Sequence, residues 1–151
     1  MIREMPSLET GFFDAPLRLL PEIGELASLT GFIEDFGMRH DWAAADTHAF
    51  WLAAEELFAN TLRHCQPAAR SVEFSLAVDE VMATATYSDD GPAFDPTAQP
   101  EVDTSLPLAE RPIGGLGIHF IRRTMQTFTY ERRDGRNVVR FGRPLNSRSS
   151  G

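Results

Sequence analysis

The chain has 151 residues, 42% hydrophobic and 24% charged, with a formal net charge of −8; this is the size and balance of one soluble globular domain able to bury a core without covalent staples. The acidic balance argues against a nucleic-acid-binding surface, which needs clustered Lys and Arg against phosphates, but leaves room for a single nucleotide, whose charge a metal ion and backbone N–H groups offset locally. One cysteine, Cys65, excludes an intrachain disulfide and fits a reducing cytoplasm, and no stretch approaches the roughly 20 apolar residues of a membrane span.

In chain order, "MIREMPSLET" has an acidic residue, a proline and no apolar run. It is therefore not read as a signal peptide but as an extension over residues 1–10. "TGFFDAPLRLL" predicts a short first strand at a sheet edge. Pro21 suits a helix's first turn, and Ile23, Leu26, Ile33 and Phe36 follow at helical spacing, which predicts a helix over 21–39. A second helix is predicted over 46–64 with Asp46 as its N-cap. On it Trp51, Ala54, Phe58, Leu62 and Cys65 form one stripe, with Glu56 and Asn60 on the opposite side, about 40° apart. "SVEFSLAV" alternates Val72, Phe74, Leu76 and Val78, and "VMATATYSDDG" places Val81, Ala83, Ala85, Tyr87 and Asp89 on one face. Only Asp79 and Glu80 separate these two runs, so a tight hairpin joins them.

Residues 92–112 are rich in Pro, Asp and Glu and lack a period, which predicts a loop; loops of this length in compact domains are mostly functional or disordered. "GGLGIHFIRRTMQTF" opens a third helix with Ile118, Ile121 and Met125 on one stripe. "FTYER" and "NVVRF" flank Asp134-Gly135, a strong hairpin signal. Residues 144–151, ending "NSRSSG", read as a disordered tail. The order of elements predicts an α+β domain over 11–143: a two-layer sandwich of a mostly antiparallel sheet with helices on one face.

Three motifs stand out. In "EELFANTLRHC" a carboxylate, Glu56, and a carboxamide, Asn60, share a helix face one turn apart. In "SDDGPAFDP" a strand ends on Asp89, whose carboxylate can accept a hydrogen bond from an amino group such as adenine's, and Gly91 lets backbone approach a flat ligand. In "RPIGGLGIHF", Gly114, Gly115 and Gly117 open a helix whose free N–H groups and positive dipole end suit a phosphate. Each motif alone has a plain reading: a solvated helix face, a turn, a flexible loop end. The glycine cluster is neither the dinucleotide fingerprint nor a P-loop, since it does not directly follow a strand and has no P-loop Lys.

Together the three resemble the N, G1 and G2 boxes of the GHKL ATPases, through "EELFAN", "DDGPAFDP" and "GGLGIHFIRR". The short loop between boxes and the ending "YERRDGRNVVRF" resemble the anti-sigma-factor serine/threonine kinase branch. The resemblance covers residues 17–141. It implies that Asn60 holds the magnesium bridging the ATP phosphates and that Glu56 is the general base for an attacking hydroxyl. It implies that Asp89 reads the adenine amino group, that Gly91 and Ala93 line the adenine pocket, and that residues 94–113 form the ATP lid. Gly114, Gly115, Leu116 and Gly117 fall at the phosphates. An Asn oxygen is a hard ligand suited to magnesium, and phosphoryl transfer needs mainly positioning and charge neutralisation.

The chain departs from the family at Ala93, where a second Gly is usual, and at Asn137, where relatives often carry Thr. The resemblance further implies a cytoplasmic regulator that phosphorylates a STAS-type anti-anti-sigma protein and so releases or captures a sigma factor, with homodimerisation common among relatives. Two other readings stand beside it. One is a non-catalytic module that works by partner capture, to which Ala93 and Asn137 point. The other is the catalytic domain of a split histidine kinase, for which no helical segment with a phospho-acceptor His precedes the boxes. His64 and Cys65 point to different helix faces, which excludes a zinc site, and Arg122 and Arg123 are expected at the surface.

Overall fold

The computed structural model describes residues 11–65, 68–99 and 115–146. The predicted extension over 1–10, most of the predicted lid, Gly114 and the tail beyond residue 146 lie outside the described residues. Six strands, β1 (Gly11–Phe13), β2 (Leu17–Leu19), β3 (Val72–Asp79), β4 (Met82–Asp89), β5 (Thr127–Arg133) and β6 (Arg136–Pro144), form one antiparallel sheet in the order β1-β3-β4-β6-β5, with β2 also on β3. Three helices, α1 (Leu26–Arg39), α2 (Ala44–His64) and α3 (Gly115–Thr124), pack against the sheet and one another. The architecture is the expected α+β sandwich. Among the described residues, no helix is long and apolar enough to cross a membrane.

The strand alternation holds. Val72, Phe74, Leu76 and Val78 of β3, Ala83, Ala85 and Tyr87 of β4, and Val139 and Phe141 of β6 are buried in the core beneath the helices. Each fully buried aromatic or aliphatic side chain there contributes about 1.5–3 kcal/mol. Ile118, Ile121 and Met125 of α3 are buried as their spacing predicts. Asp134 (φ 52°) and Gly135 (φ 76°) both take left-handed backbone, the two-residue turn their identities call for.

Five local expectations are corrected. The predicted first strand is two segments. Phe13 pairs with Ala77 and Leu17 with Phe74, so three edge residues, 14–16, face two on β3; the bulge falls there, where Pro16 has no N–H to donate. The first helix does not start at Pro21. Glu22 is extended, a 3-10 turn (Ile23–Glu25) intervenes, and Ile23 is exposed rather than on the buried stripe.

Asp46 is not an N-cap. Ala43 takes that position with extended backbone, and Asp46, fully buried in the first turn of α2, accepts from Asn146 N at 2.9 Å and pairs with Arg143 Nε at 3.3 Å. A tertiary tie to the end of β6 outweighs the local capping preference. Val81 leaves the predicted strand face for the exposed hairpin turn, where Asp79 Oδ1 accepts from Val81 N at 2.8 Å and Met82 N at 2.7 Å.

The stripe on α2 is also rotated. Ala49, Phe50, Ala53, Ala54, Leu57, Phe58 and Thr61 are buried, whereas Trp51 and Leu62 are only partly so. The helix has the sheet beneath it and α1 and α3 alongside, so its buried arc is wider than one stripe. Trp51 turns to α1 and donates from Nε1 to Thr30 Oγ1 at 2.7 Å.

Candidate functional site

The antiparallel register lines up Val72, Asp89, Asn137 and Arg132 across β3, β4, β6 and β5, at the end of the sheet where β4 runs out. Opposed residues share a face. Three polar side chains therefore meet on the helix-covered side, where they must satisfy one another.

Asp89 is 5% exposed. Its Oδ1 accepts from Gly91 N and Asn137 Nδ2, each at 2.9 Å, and its Oδ2 from Thr61 Oγ1 at 2.9 Å. The Thr61 hydroxyl also lies 2.7 Å from Tyr87 OH and 3.3 Å from Leu57 O. It has one proton, which goes to the Asp89 carboxylate in preference to the more distant Leu57 carbonyl; Tyr87 then donates to Thr61.

Asn137 uses its whole bonding capacity. Nδ2 donates to Asp89 and to Pro92 O (2.8 Å); Oδ1 accepts from Tyr130 OH (2.7 Å), Phe94 N (3.0 Å) and Arg132 Nη1 (3.1 Å). Arg132 donates also to Gly91 O at 2.7 Å. The residue that departs from the family pattern is thus the hub joining the Asp89 carboxylate to the backbone of residues 91–94. Ala93 lies between the two backbone groups Asn137 holds. It is not among the described non-glycine residues with left-handed backbone, Asp41 and Asp134, so a methyl group is accommodated there. Gly91 is required for a different reason: a Cβ on it would lie 2.5 Å from the Cβ of Cys65. Burial, and then the Asp89 charge, pushes the Cys65 thiol up to about 11.

Asp89, Asn137, Thr61 and Asn60 line one cavity of about 20 Å³ together with Phe94 and Pro96. That is room for about one water, so a nucleobase needs more room than the described residues leave here. Phe94 stacks on His64 with ring centroids 4.5 Å apart and planes 11° apart. Beyond it Asp95 caps a 3-10 turn (Pro96–Ala98), accepting from Thr97 N at 2.8 Å. Arg122 of α3, expected at the surface, donates from Nη2 to Thr97 O at 3.0 Å and to Gln99 O. The first residues of the predicted lid are therefore anchored by Asn137 and Arg122.

Glu56 lies in the seam between α2 and α3, and Asn60 in the cavity beside Asp89, neither on an open face. Asn60 is 6% exposed and the Glu56 side chain 14%. Glu56 lies directly over Gly117: a Cβ there would come within 2.0 Å of Glu56 Oε1 and 2.1 Å of its Cδ. Gly117 thus provides the space in which the carboxylate sits, whether or not it also donates its N–H to an anion. Burial raises the Glu56 carboxyl above the usual value, opposed by Arg63. Arg63 Nη2 donates to Glu56 Oε2 at 3.2 Å and to Asn60 Oδ1. The groove continuing from Glu56 along the seam, about 400 Å³, is lined by Leu52, Ala59 and Phe120. Gly115 and Leu116 begin α3, whose first N–H groups have no partner within the helix; Gly114 lies outside the described residues.

The residues suit the groups the motifs imply. Asn60 Oδ1 already faces a cation in the Arg63 guanidinium, and a neutral oxygen with that exposure to positive charge is a fit ligand for magnesium. Asp89 Oδ2 has one protein donor and keeps acceptor capacity toward the cavity. Thr61, Tyr87, Phe94, Arg132 and Arg63 were not singled out by the motifs. Thr61 sits beside Asn60 in the N-box stretch, and Arg63 follows Asn60 by three residues and Glu56 by seven, a spacing that puts it on their face.

The family model described as histidine kinase-like ATPase domain matches residues 19–143, which contain every one of these residues. The chain is also similar to the serine/threonine-protein kinase BtrW of Bordetella bronchiseptica, with 28% identity over 110 residues, 70% of this chain and 76% of that protein.

Proposed function

The chain belongs to the histidine kinase-like ATPase domain family, and on that premise we propose that it is an ATP-binding serine/threonine protein kinase. Its acceptor in this reading is a STAS-type anti-anti-sigma protein in the cytoplasm, and the outcome is the capture or release of a sigma factor by the chain, acting as a homodimer. The observation that supports the reading best is one cavity lined by both Asp89 and Asn60, with Glu56 one helical turn further along α2. The similarity to a named serine/threonine-protein kinase supports the hydroxyl acceptor.

In this mechanism Asp89, held by Thr61, Asn137 and Gly91 N, accepts a hydrogen bond from the adenine amino group. Residues 91–94 close against the base as Asn137 holds their backbone. Asn60 offers its oxygen to magnesium, which when bound neutralises phosphate charge and orients the transferred group. The first N–H groups of α3, from Gly115 through Gly117, face the phosphates. Glu56 Oε2 takes the proton of the acceptor hydroxyl; partial burial favours proton uptake, since it destabilises the ionised form. The domain working in this way spans residues 11–143.

The test is calorimetric titration of ATP with magnesium and with chelator, followed by phosphotransfer to a STAS-domain acceptor. Asn60→Ala and Asp89→Asn lose magnesium-dependent binding. Glu56→Gln retains binding and loses phosphotransfer by roughly 10²–10⁴-fold; wild-type transfer by this variant would remove Glu56 from the role. A second reading, a partner-capture module without turnover, is favoured by the small size of the cavity, about 20 Å³. It predicts stable partner binding with no labelled phosphate on the partner, whatever the magnesium concentration.

A further inference from the structure

Arg63 has no role in the mechanism above, yet it contacts the two side chains on which that mechanism turns. It lies on the same face of α2 as Asn60 and Glu56, three and seven residues after them. One of its nitrogens, Nη2, donates both to Asn60 Oδ1 and to Glu56 Oε2. We propose that Arg63 is a built-in cation that holds the magnesium position in the nucleotide-free protein and must withdraw from Asn60 when the metal–nucleotide binds. The inference rests on the reading of Asn60 and Glu56 given under Proposed function and adds a regulation of that site.

Two properties of the site carry it. The first is electrostatic. The guanidinium and a magnesium ion both require the same small oxygen, Asn60 Oδ1, and two cations on one neutral oxygen repel with nothing between them to screen the charge. Arg63 and the metal are therefore alternatives. The second is steric. Glu56 lies over Gly117, so α3 bars it from shifting further toward that helix. Asn60 is nearly buried. Arg63 is the member of the three that can move: its side chain is 34% exposed, on a long flexible stem with its head near water.

The exchange has a consequence for the base. While Arg63 stays in place, Glu56 Oε2 is engaged as an acceptor. When Arg63 withdraws, that oxygen loses a donor that competes with the acceptor hydroxyl for it. Because one nitrogen serves both contacts, filling the metal position also weakens the hold of Arg63 on the base.

The experiment is titration of ADP, with magnesium chloride and separately with EDTA, into the wild type, Arg63→Met and Arg63→Lys. Circular dichroism melts verify that each variant folds. Met keeps the length of the stem and removes the charge. A site whose competent form is rare binds more weakly by the competent fraction. If Arg63 blocks Asn60 in roughly nine of ten free molecules, R63M binds magnesium–ADP about tenfold more tightly than wild type, with no gain in EDTA. R63K, a point charge that cannot span both partners, falls between. Equal or weaker magnesium–ADP binding by R63M overturns the proposal, because Arg63 would then be indifferent to the metal or a ligand of the nucleotide. Absence of ADP and ATP binding by the wild type in either buffer overturns the nucleotide reading itself, and this inference with it.

Discussion

The two halves of the site are built by opposite means. The Asp89 end is set in the sheet. Its carboxylate, Asn137, Thr61, Tyr87, Tyr130 and Arg132 satisfy one another through bonds that cross four elements. The Glu56 end is set in a helix–helix seam. One carboxylate lies over one glycine, and a single mobile cation joins it to Asn60. A closed polar network fixes a geometry and is costly to disturb. A seam held by one guanidinium is poised to rearrange. In the proposed mechanism, recognition of a rigid base asks for the first, and chemistry on a charged, changing group asks for the second.

The sharpest way to break this contrast is Gly117→Ala. The added methyl would overlap the Glu56 carboxylate, while the backbone N–H is kept and Ala is the better helix former by about 1 kcal/mol. Phosphotransfer is expected to fall by at least about 10²-fold, with little change in the thermal midpoint, read from transfer assays beside melting curves. A stable variant with wild-type transfer would show that the seam is not where the base works.

Asn137→Ala attacks the other half. Losing the hub leaves Asp89, Tyr130 and Phe94 N short of partners, each buried orphan costing about 1–3 kcal/mol. Both stability and ATP affinity should drop, the latter by about tenfold or more. Loss of one without the other would separate the network's structural role from its recognition role.

Cys65 reports on the same half without a large perturbation. Its thiol is raised to about 11, so iodoacetamide labelling of the folded protein stays slow through pH 9 and accelerates only as pH approaches 11. The sign for stability follows. The unfolded thiol ionises near 9, so this contribution is whole below pH 9 and lost as pH rises from 9 through about 11.

The smallest expected effect lies outside both halves and serves as a control. Asp79 accepts two backbone N–H groups in the β3–β4 turn, which hold its carboxyl below the usual 3.8. Asp79→Ala should cost about 0.5–1.5 kcal/mol at pH 7. The difference from wild type should vanish as pH falls below 3.8 through the folded value, because the protonated wild type loses the same stabilisation. Phosphotransfer should not change.

What could be read from the sequence follows the range of the interactions involved. The strands β3 and β4, the stripe of α3 and the Asp134-Gly135 turn depend on period or on two adjacent residues, and they stand where expected. Asp46 obeyed no local capping rule because its partners, Arg143 and Asn146, lie about a hundred residues away. The buried arc of α2 was mis-phased because a helix covered on several sides has no single apolar stripe. Asn137 could be flagged as a departure from a pattern but not as a hub, since its partners on residues 89–94 approach only once β4 and β6 pair. Arg63 was legible from spacing alone and was passed over, because a basic residue near a helix C-terminus has an ordinary explanation in the helix dipole.

The broken edge of the sheet has a meaning for the molecule in company. One border is two three-residue segments interrupted at Pro16, and the other, β5, ends in Glu131, Arg132 and Arg133. Neither offers the long, flat, unpaired ribbon on which another chain could add a strand. Among the described residues, the broken first border and the charged end of β5 both disfavour edge-to-edge growth of the sheet from one molecule to the next.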